Sequence, residues 1–208
     1  MTMDDPTATI RSSDKPIHIT ALCGSQREGS VTRLALERAL EEAERGDAVT
    51  DLIDLRDLEL PVFDATIDRA EAGDTEELAA RVRDADAILL GSPMYHGSYS
   101  SPLKTALDFC GFEEFEDKTV GLLAVSAGAF PVTTLEHMRS VCRALNAWVI
   151  PHQAAVGHSY EAIENGEFVD QATEDRIATL GQRVVEYARI EPTPIVSEND
   201  QILEAVDH

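Results

Sequence analysis

Residues 23–36 read CGSQREGSVTRLAL, which sets two glycines, two hydroxyls and an arginine between two segments of different periodicity. The run before them, residues 17–23, is short, apolar and β-branched, and after them Val31, Leu34, Ala35, Ala39 and Ala43 recur at helical spacing. The stretch is therefore a strand-loop-helix turn, where free N–H groups and the positive end of the helix dipole attract an anion. Ser25, Ser30 and Thr32 add hydroxyl donors, and Arg27 adds a guanidinium suited to phosphate oxygens. Gly24 and Gly29 are the only loop glycines and no lysine follows, so the stretch is neither a P-loop nor a dinucleotide fingerprint. A helix capped by Ser30 after an ordinary turn is the plain alternative to a phosphate site.

A loop of this kind needs elements behind it that gather other loops to the same place. Strand-like runs recur at residues 49–55, 87–91, 119–126 and 147–150. Helical patterns lie between them at residues 75–83 and 103–109 and through Leu135, Met138, Val141, Cys142 and Leu145. A last helix over residues 173–187 places Ile177, Leu180, Val184 and Tyr187 on one face. Alternating strands and helices with apolar strands predict an α/β fold, a parallel sheet covered on both faces. With five strands, the expectation is a flavodoxin-like doubly wound sheet of order 2-1-3-4-5, which binds ligands outside the carboxyl ends of its strands.

The loops after the third and fourth strands must then also look like ligand loops, and they do. Residues 91–111 read GSPMYHGSYSSPLKTALDFCG, and residues 126–130 read SAGAF. Pro93 restricts the backbone, while Gly97 and Gly128 would let a flat group approach the chain. Ser101 reads as an N-cap with Pro102 at the first helical position.

The whole chain bounds the function further. Its 208 residues suit one domain over residues 16–190, between a disordered arm at 1–15 and a C-terminal tail at 191–208. Thirty-nine acidic against 17 basic residues give a net charge of −22, a field that opposes nucleic acid and anionic membranes as partners. The acidic residues are spread along the chain, which suggests adaptation to high salt. There is no signal-like apolar region and no run of membrane-spanning length, so a soluble, cytoplasmic protein is expected. Cys23, Cys110 and Cys142 lack metal-ligand spacing and are expected to be buried free thiols. Lys104 and Asp108, four apart, should pair within a helix, and His137 and Trp148 read as structural.

Taken together, the three loops resemble the NADPH-dependent FMN reductase family, flavodoxin-like proteins that include quinone, azo-dye and chromate reductases. The family's Gly-Ser-x-Arg-x-x-Ser motif stands here at Gly24, Ser25, Arg27 and Ser30, and its Pro-x-Tyr-x-x-Ser motif at Pro93, Tyr95 and Ser98. Its Leu-Lys-Asn-Ala-Leu-Asp helix stands as Leu103 to Asp108, with Thr105 in place of the asparagine. The resemblance implies that Ser25, Arg27, Ser30 and Thr32 hold an FMN phosphate, with a main-chain contact from Val31. It implies that Pro93, Met94, Tyr95, His96 and Gly97 line the isoalloxazine ring, with Ser126, Ala127, Gly128 and Phe130 near its pyrimidine edge. Thr105 bears on packing or subunit contact, whereas Ala127, where the family carries a glycine-rich stretch, bears on the seat of the ring. The implied activity passes hydride from NADPH or NADH to bound FMN and on to a quinone, free flavin or similar small acceptor, with no acid-base side chain required. The implied assembly is a homodimer or homotetramer through the helix from Leu103 and residues 94–100. A flavodoxin-type electron carrier, or a redox-partner protein without NAD(P)H turnover, remains open as the alternative.

Overall fold

The computed structural model describes residues 15–190. The expected arm, Lys15 apart, and the expected tail at 191–208 lie outside the described residues. In chain order the elements are β1 (Ile17–Cys23), α1 (Val31–Arg45), β2 (Ala48–Asp54), α2 (Thr75–Arg83), β3 (Ala87–Pro93), α3 (Ser101–Asp108) and α4 (Phe112–Phe115). They continue with β4 (Thr119–Val125), α5 (Val132–Ala144), β5 (Trp148–Val156), β6 (Ile163–Glu164), β7 (Glu167–Phe168) and α6 (Gln171–Ala188). Five strands form a parallel sheet of order β2-β1-β3-β4-β5, the doubly wound order expected from the sequence.

The central strands are apolar on both faces because helices cover both. On one face, Leu36 and Leu40 of α1 and Ile177, Leu180 and Val184 of α6 pack against Ile19, Leu89 and Leu123. On the other, Leu78 of α2, Leu103 of α3, Phe115 of α4 and Met138 of α5 pack against Leu22, Ile88, Leu90 and Leu122. Helices α1 and α6 approach so closely at Gly181 that an added Cβ would lie 2.0 Å from the Ala39 carbonyl oxygen. Among the described residues no helix is long and apolar enough to cross a membrane.

The register sets the functional edge. Cys23 lies beside Gly91, Pro93 beside Val125, and Val125 beside Val156. The connections leaving β1, β3, β4 and β5 therefore all emerge on one side of the sheet. The three cysteines are free and buried as expected. Burial pushes the Cys23 thiol up to about 11 and those of Cys110 and Cys142 up to about 12, so none is a ready thiolate. Lys104 and Asp108 form the expected pair at 2.5 Å, exposed and so worth little to stability.

Two local expectations are corrected. The fifth strand does not stop near residue 150 but runs on to Val156 past Pro151. β5 is an edge strand, and its pairing with β4 shifts register between Val120 and Leu122, so the proline sits beside an irregularity where a missing N–H is tolerated. Ser100 rather than Ser101 caps α3, accepting the Leu103 N–H at 3.4 Å, and Pro102 therefore stands one position further inside the first turn. Trp148 is 60% exposed, and its ring N–H donates to Asp117 Oδ1 at 3.3 Å, a structural contact.

Candidate functional site

The turn after β1 is built on a close backbone approach. The Gly24 N–H donates to the Gly91 carbonyl at 2.8 Å, and the Ser100 hydroxyl donates to the Gly24 carbonyl at 2.6 Å. A Cβ at position 24 would lie 2.7 Å from Ser100 Oγ and 2.8 Å from Leu103 Cβ, so only glycine fits. Beyond it the Ser25 hydroxyl accepts the Arg27 N–H at 3.3 Å, and Gly29 takes φ +65° to return the chain to the helix. Ser30 caps α1, accepting the Arg33 N–H at 3.2 Å. The result is a ring of buried hydroxyls, Ser25, Ser30 and Thr32, around the amino end of a 15-residue helix.

The turn after β3 is fastened to its neighbours. The Met94 N–H donates to the Val125 carbonyl at 2.6 Å, and the Ser100 N–H donates to Ser92 Oγ at 2.8 Å. Tyr95 and Ser98 exchange both main-chain hydrogen bonds across His96 (φ +51°) and Gly97 (φ +83°). Gly97 is required by this left-handed backbone and not by crowding, since an added Cβ would meet only Thr133 Oγ1 at 3.7 Å. His137 of α5 holds the turn from outside, its Nδ1 2.9 Å from Ser98 Oγ.

The loop after β4 rests on the one after β5. Ser126 Oγ donates to the Gly128 carbonyl at 2.7 Å, and that carbonyl also accepts the His158 N–H at 2.9 Å. A Cβ at Gly157 would lie 2.6 Å from the Ala129 carbonyl oxygen, so the two loops touch backbone to backbone. This carries Tyr160 to the first loop, where the Arg27 guanidinium stands over its ring at 5.5 Å from the centroid, a cation–π contact.

The loops enclose a cavity of about 250 Å³. Of the residues singled out in the sequence, it is lined by Ser25, Arg27, Ser30, Val31, Thr32, Pro93, Met94, Tyr95 and Ala127. His96, Gly97, Ser126, Gly128 and Phe130 do not line it: Ser126 is buried in the hydrogen bonds just described, and Phe130 is 80% exposed. Val125, Ser159 and Tyr160 line it without having been singled out. The signal for the last two was the true length of β5, hidden by Pro151. A larger apolar cavity of about 400 Å³ lies at the opposite end of the sheet, by Trp148 and Ile190. It lacks a helix terminus ringed with hydroxyls, so the smaller cleft is the functional candidate. Among the described residues no three His, Cys, Asp or Glu side chains gather as metal ligands.

The donor set suits a dianion at one end, and the Pro93–Met94–Tyr95 wall suits a flat ring at the other, as a flavin mononucleotide requires. An added Cβ at Gly128 would meet nothing, so space is left beside the fourth loop. Because Ser100 joins the first two loops, Ser100→Ala is expected to lower stability by about 1–3 kcal/mol, measured by urea unfolding. A loss below about 0.5 kcal/mol would show that the junction does not depend on this hydroxyl.

Residues 17–161 match the family described as NADPH-dependent FMN reductase. An FMN-dependent NADPH-azoreductase of Staphylococcus saprophyticus is 30% identical over 152 residues, covering 71% of this chain and 81% of that protein. The corresponding azoreductase of Staphylococcus aureus is 31% identical over 153 residues, with 71% and 81% covered. Among solved structures, the flavoenzyme NAD(P)H:(acceptor) oxidoreductase FerB of Paracoccus denitrificans superposes with a TM-score of 0.68 at 18% identity, covering 83% of this chain and 97% of its own. A WrbA-like flavodoxin of Agrobacterium tumefaciens superposes with a TM-score of 0.57 at 18% identity, covering 84% and 98%. The structural likenesses show the flavodoxin-like fold, and the sequence matches show the lineage: this chain belongs to the NADPH-dependent FMN reductase family.

Proposed function

We propose that the cleft at the carboxyl ends of β1, β3 and β4 is the FMN site of an NAD(P)H-dependent oxidoreductase that reduces a flat, electron-poor acceptor. The observation that carries this is a cavity in which buried hydroxyls at the start of α1 meet Arg27 and the Pro93–Met94–Tyr95 wall. In this reading Ser25, Arg27, Ser30 and Thr32 hold the phosphate with the Val31 main chain, and Pro93 to Gly97 flank the ring. Ser126, Ala127, Gly128 and Phe130 stand towards its pyrimidine edge, Ala127 alone of the four lining the cavity. When bound, FMN supplies the chemistry, taking hydride from NADPH or NADH and giving electrons to the acceptor.

The protein's own part is position and electrostatics. Arg27 and the α1 dipole offset the phosphate charge in a chain whose net charge of −22 would otherwise repel it. Exposed main chain at Ala127 and Gly128 can donate to negative charge developing at the pyrimidine edge. Tyr95 is 53% exposed, which keeps the outer side of the ring region open to nicotinamide and acceptor in turn. The acceptor class is quinones, azo compounds and free flavins, and the azo-reducing relatives support it. Removing the Arg27 charge should weaken FMN binding by about 1.5–3 kcal/mol, read by titrating apoprotein of Arg27→Ala with FMN. Unchanged affinity would reduce Arg27 to a solvated charge.

Assembly and environment belong to the same proposal. Phe130 at 80% and Val132 at 48% exposure leave apolar surface beside the loop after β4, which a second copy would cover in a homodimer or homotetramer. The spread acidic excess fits a soluble protein of a salt-rich cytoplasm, with neither nucleic acid nor membrane as partner. At 0.01 M salt, where the Debye length is about 30 Å, repulsion should unfold the chain and release flavin and subunits together. Light scattering and flavin fluorescence across a KCl series test this, and a stable apo-dimer at low salt would contradict it.

A further inference from the structure

Beneath the first loop lies a buried carboxylate for which the proposed chemistry has no use. Asp54, the last residue of β2, is 6% exposed and is held by two arginines. Arg56 meets it as a fork, Nη2 at 2.6 Å from Oδ2 and Nε at 3.1 Å from Oδ1, while its own N–H donates to Oδ1 at 3.1 Å. Arg33 of α1 approaches from the other side, Nη1 at 3.0 Å from Oδ2, with its Nε on Glu37 at 2.8 Å. Burial works to raise the Asp54 pKa, but the bonds from Arg56 and the charges of both arginines outweigh it and hold the carboxyl below its usual value. The carboxylate is therefore a fixed anionic anchor.

What Arg56 does with its remaining nitrogen is the informative contact. Its Nη1 donates to the main-chain carbonyl of Arg27 at 3.2 Å. A pair that served only to join α1 to β2 would be complete with Arg33 and Asp54. The second arginine instead reaches the tip of the phosphate loop, near the residue whose side chain faces the cleft. The circuit runs from α1 through Asp54 and Arg56 to Arg27, so it spans the loop from its helical end to its tip.

We infer that Arg56 is a positioning residue for cofactor phosphate recognition: anchored on Asp54, it holds the Arg27 carbonyl and so fixes the direction of the phosphate loop. The inference rests on the proposal that this loop binds the FMN phosphate. It predicts a specific signature, because riboflavin has the same ring and ribityl chain but no phosphate for the loop to hold. Loosening the loop should cost affinity for FMN and leave affinity for riboflavin where it was.

The test is fluorescence titration of full-length apoprotein, wild type, Arg56→Ala and Arg56→Lys, with FMN and with riboflavin. Arg56→Ala is expected to raise the FMN Kd about fivefold to tenfold with the riboflavin Kd unchanged. Arg56→Lys keeps a cation against Asp54, and with it the fold, but lacks the forked second nitrogen, so it should lose the same preference. Equal weakening of FMN and riboflavin would make Arg56 merely structural and overturn the inference, as would full FMN affinity in either variant. A wild-type protein that binds FMN no better than riboflavin would overturn the phosphate-site proposal itself, a result separate from any change in the variants.

Discussion

One hydroxyl holds the two principal loops of the site together. Ser100 Oγ donates to the Gly24 carbonyl at 2.6 Å and accepts the Leu103 N–H at 3.4 Å, while its own N–H donates to Ser92 Oγ at 2.8 Å. A serine hydroxyl has one proton to give and lone pairs to receive with, so a single side chain both caps α3 and pins the turn after β1. The pin is buried, 1% exposed, and the missing side chain of Gly24 makes room for it. The hydroxyls of the loop after β1 and the Pro93–Met94–Tyr95 wall after β3 thereby keep a set distance, which is what the proposed cofactor, with a phosphate at one end and a flat ring at the other, demands.

Around that pin the fold resolves an electrostatic conflict. A chain with 39 acidic and 17 basic residues must bind a dianionic phosphate. In the proposed site, donors gather where the backbone already favours an anion, at the start of α1, with Arg27 above the loop and Arg33 and Arg56 below it. Asp54, paired with both, offsets the mutual repulsion of two guanidinium groups that lie close together. The same acidic field would slow the approach of an anionic nicotinamide nucleotide at low salt.

Much of this is legible in the sequence, and the parts that are not have identifiable causes. The turn from residue 23 to 36 and its Ser30 cap are readable because strand and helix periodicities meet there with a hydroxyl at the junction. Two adjacent serines, Ser100 and Ser101, offer the same capping chemistry, and only the burial of the first against Gly24 decides between them. Pro151 conceals the second half of β5, since a proline normally ends a strand and only an edge position with a register shift admits it. With the strand's end misplaced, Tyr160 could not be put beside Arg27. The Asp54–Arg56–Arg27 circuit joins residues whose separation in sequence follows no local period, so it emerges only once β2 is set beside β1.

If this cleft holds FMN and admits NAD(P)H to it, the bound flavin is reduced by the nucleotide and reoxidised by the acceptor. The most direct measurement is anaerobic mixing of the FMN-loaded protein with NADPH in molar KCl, following the flavin absorbance, and then adding a quinone. The yellow colour should bleach with NADPH and return on addition of the quinone. A protein that takes up FMN but keeps its colour with both NADPH and NADH would contradict this reading, and one that takes up no FMN would contradict it more completely.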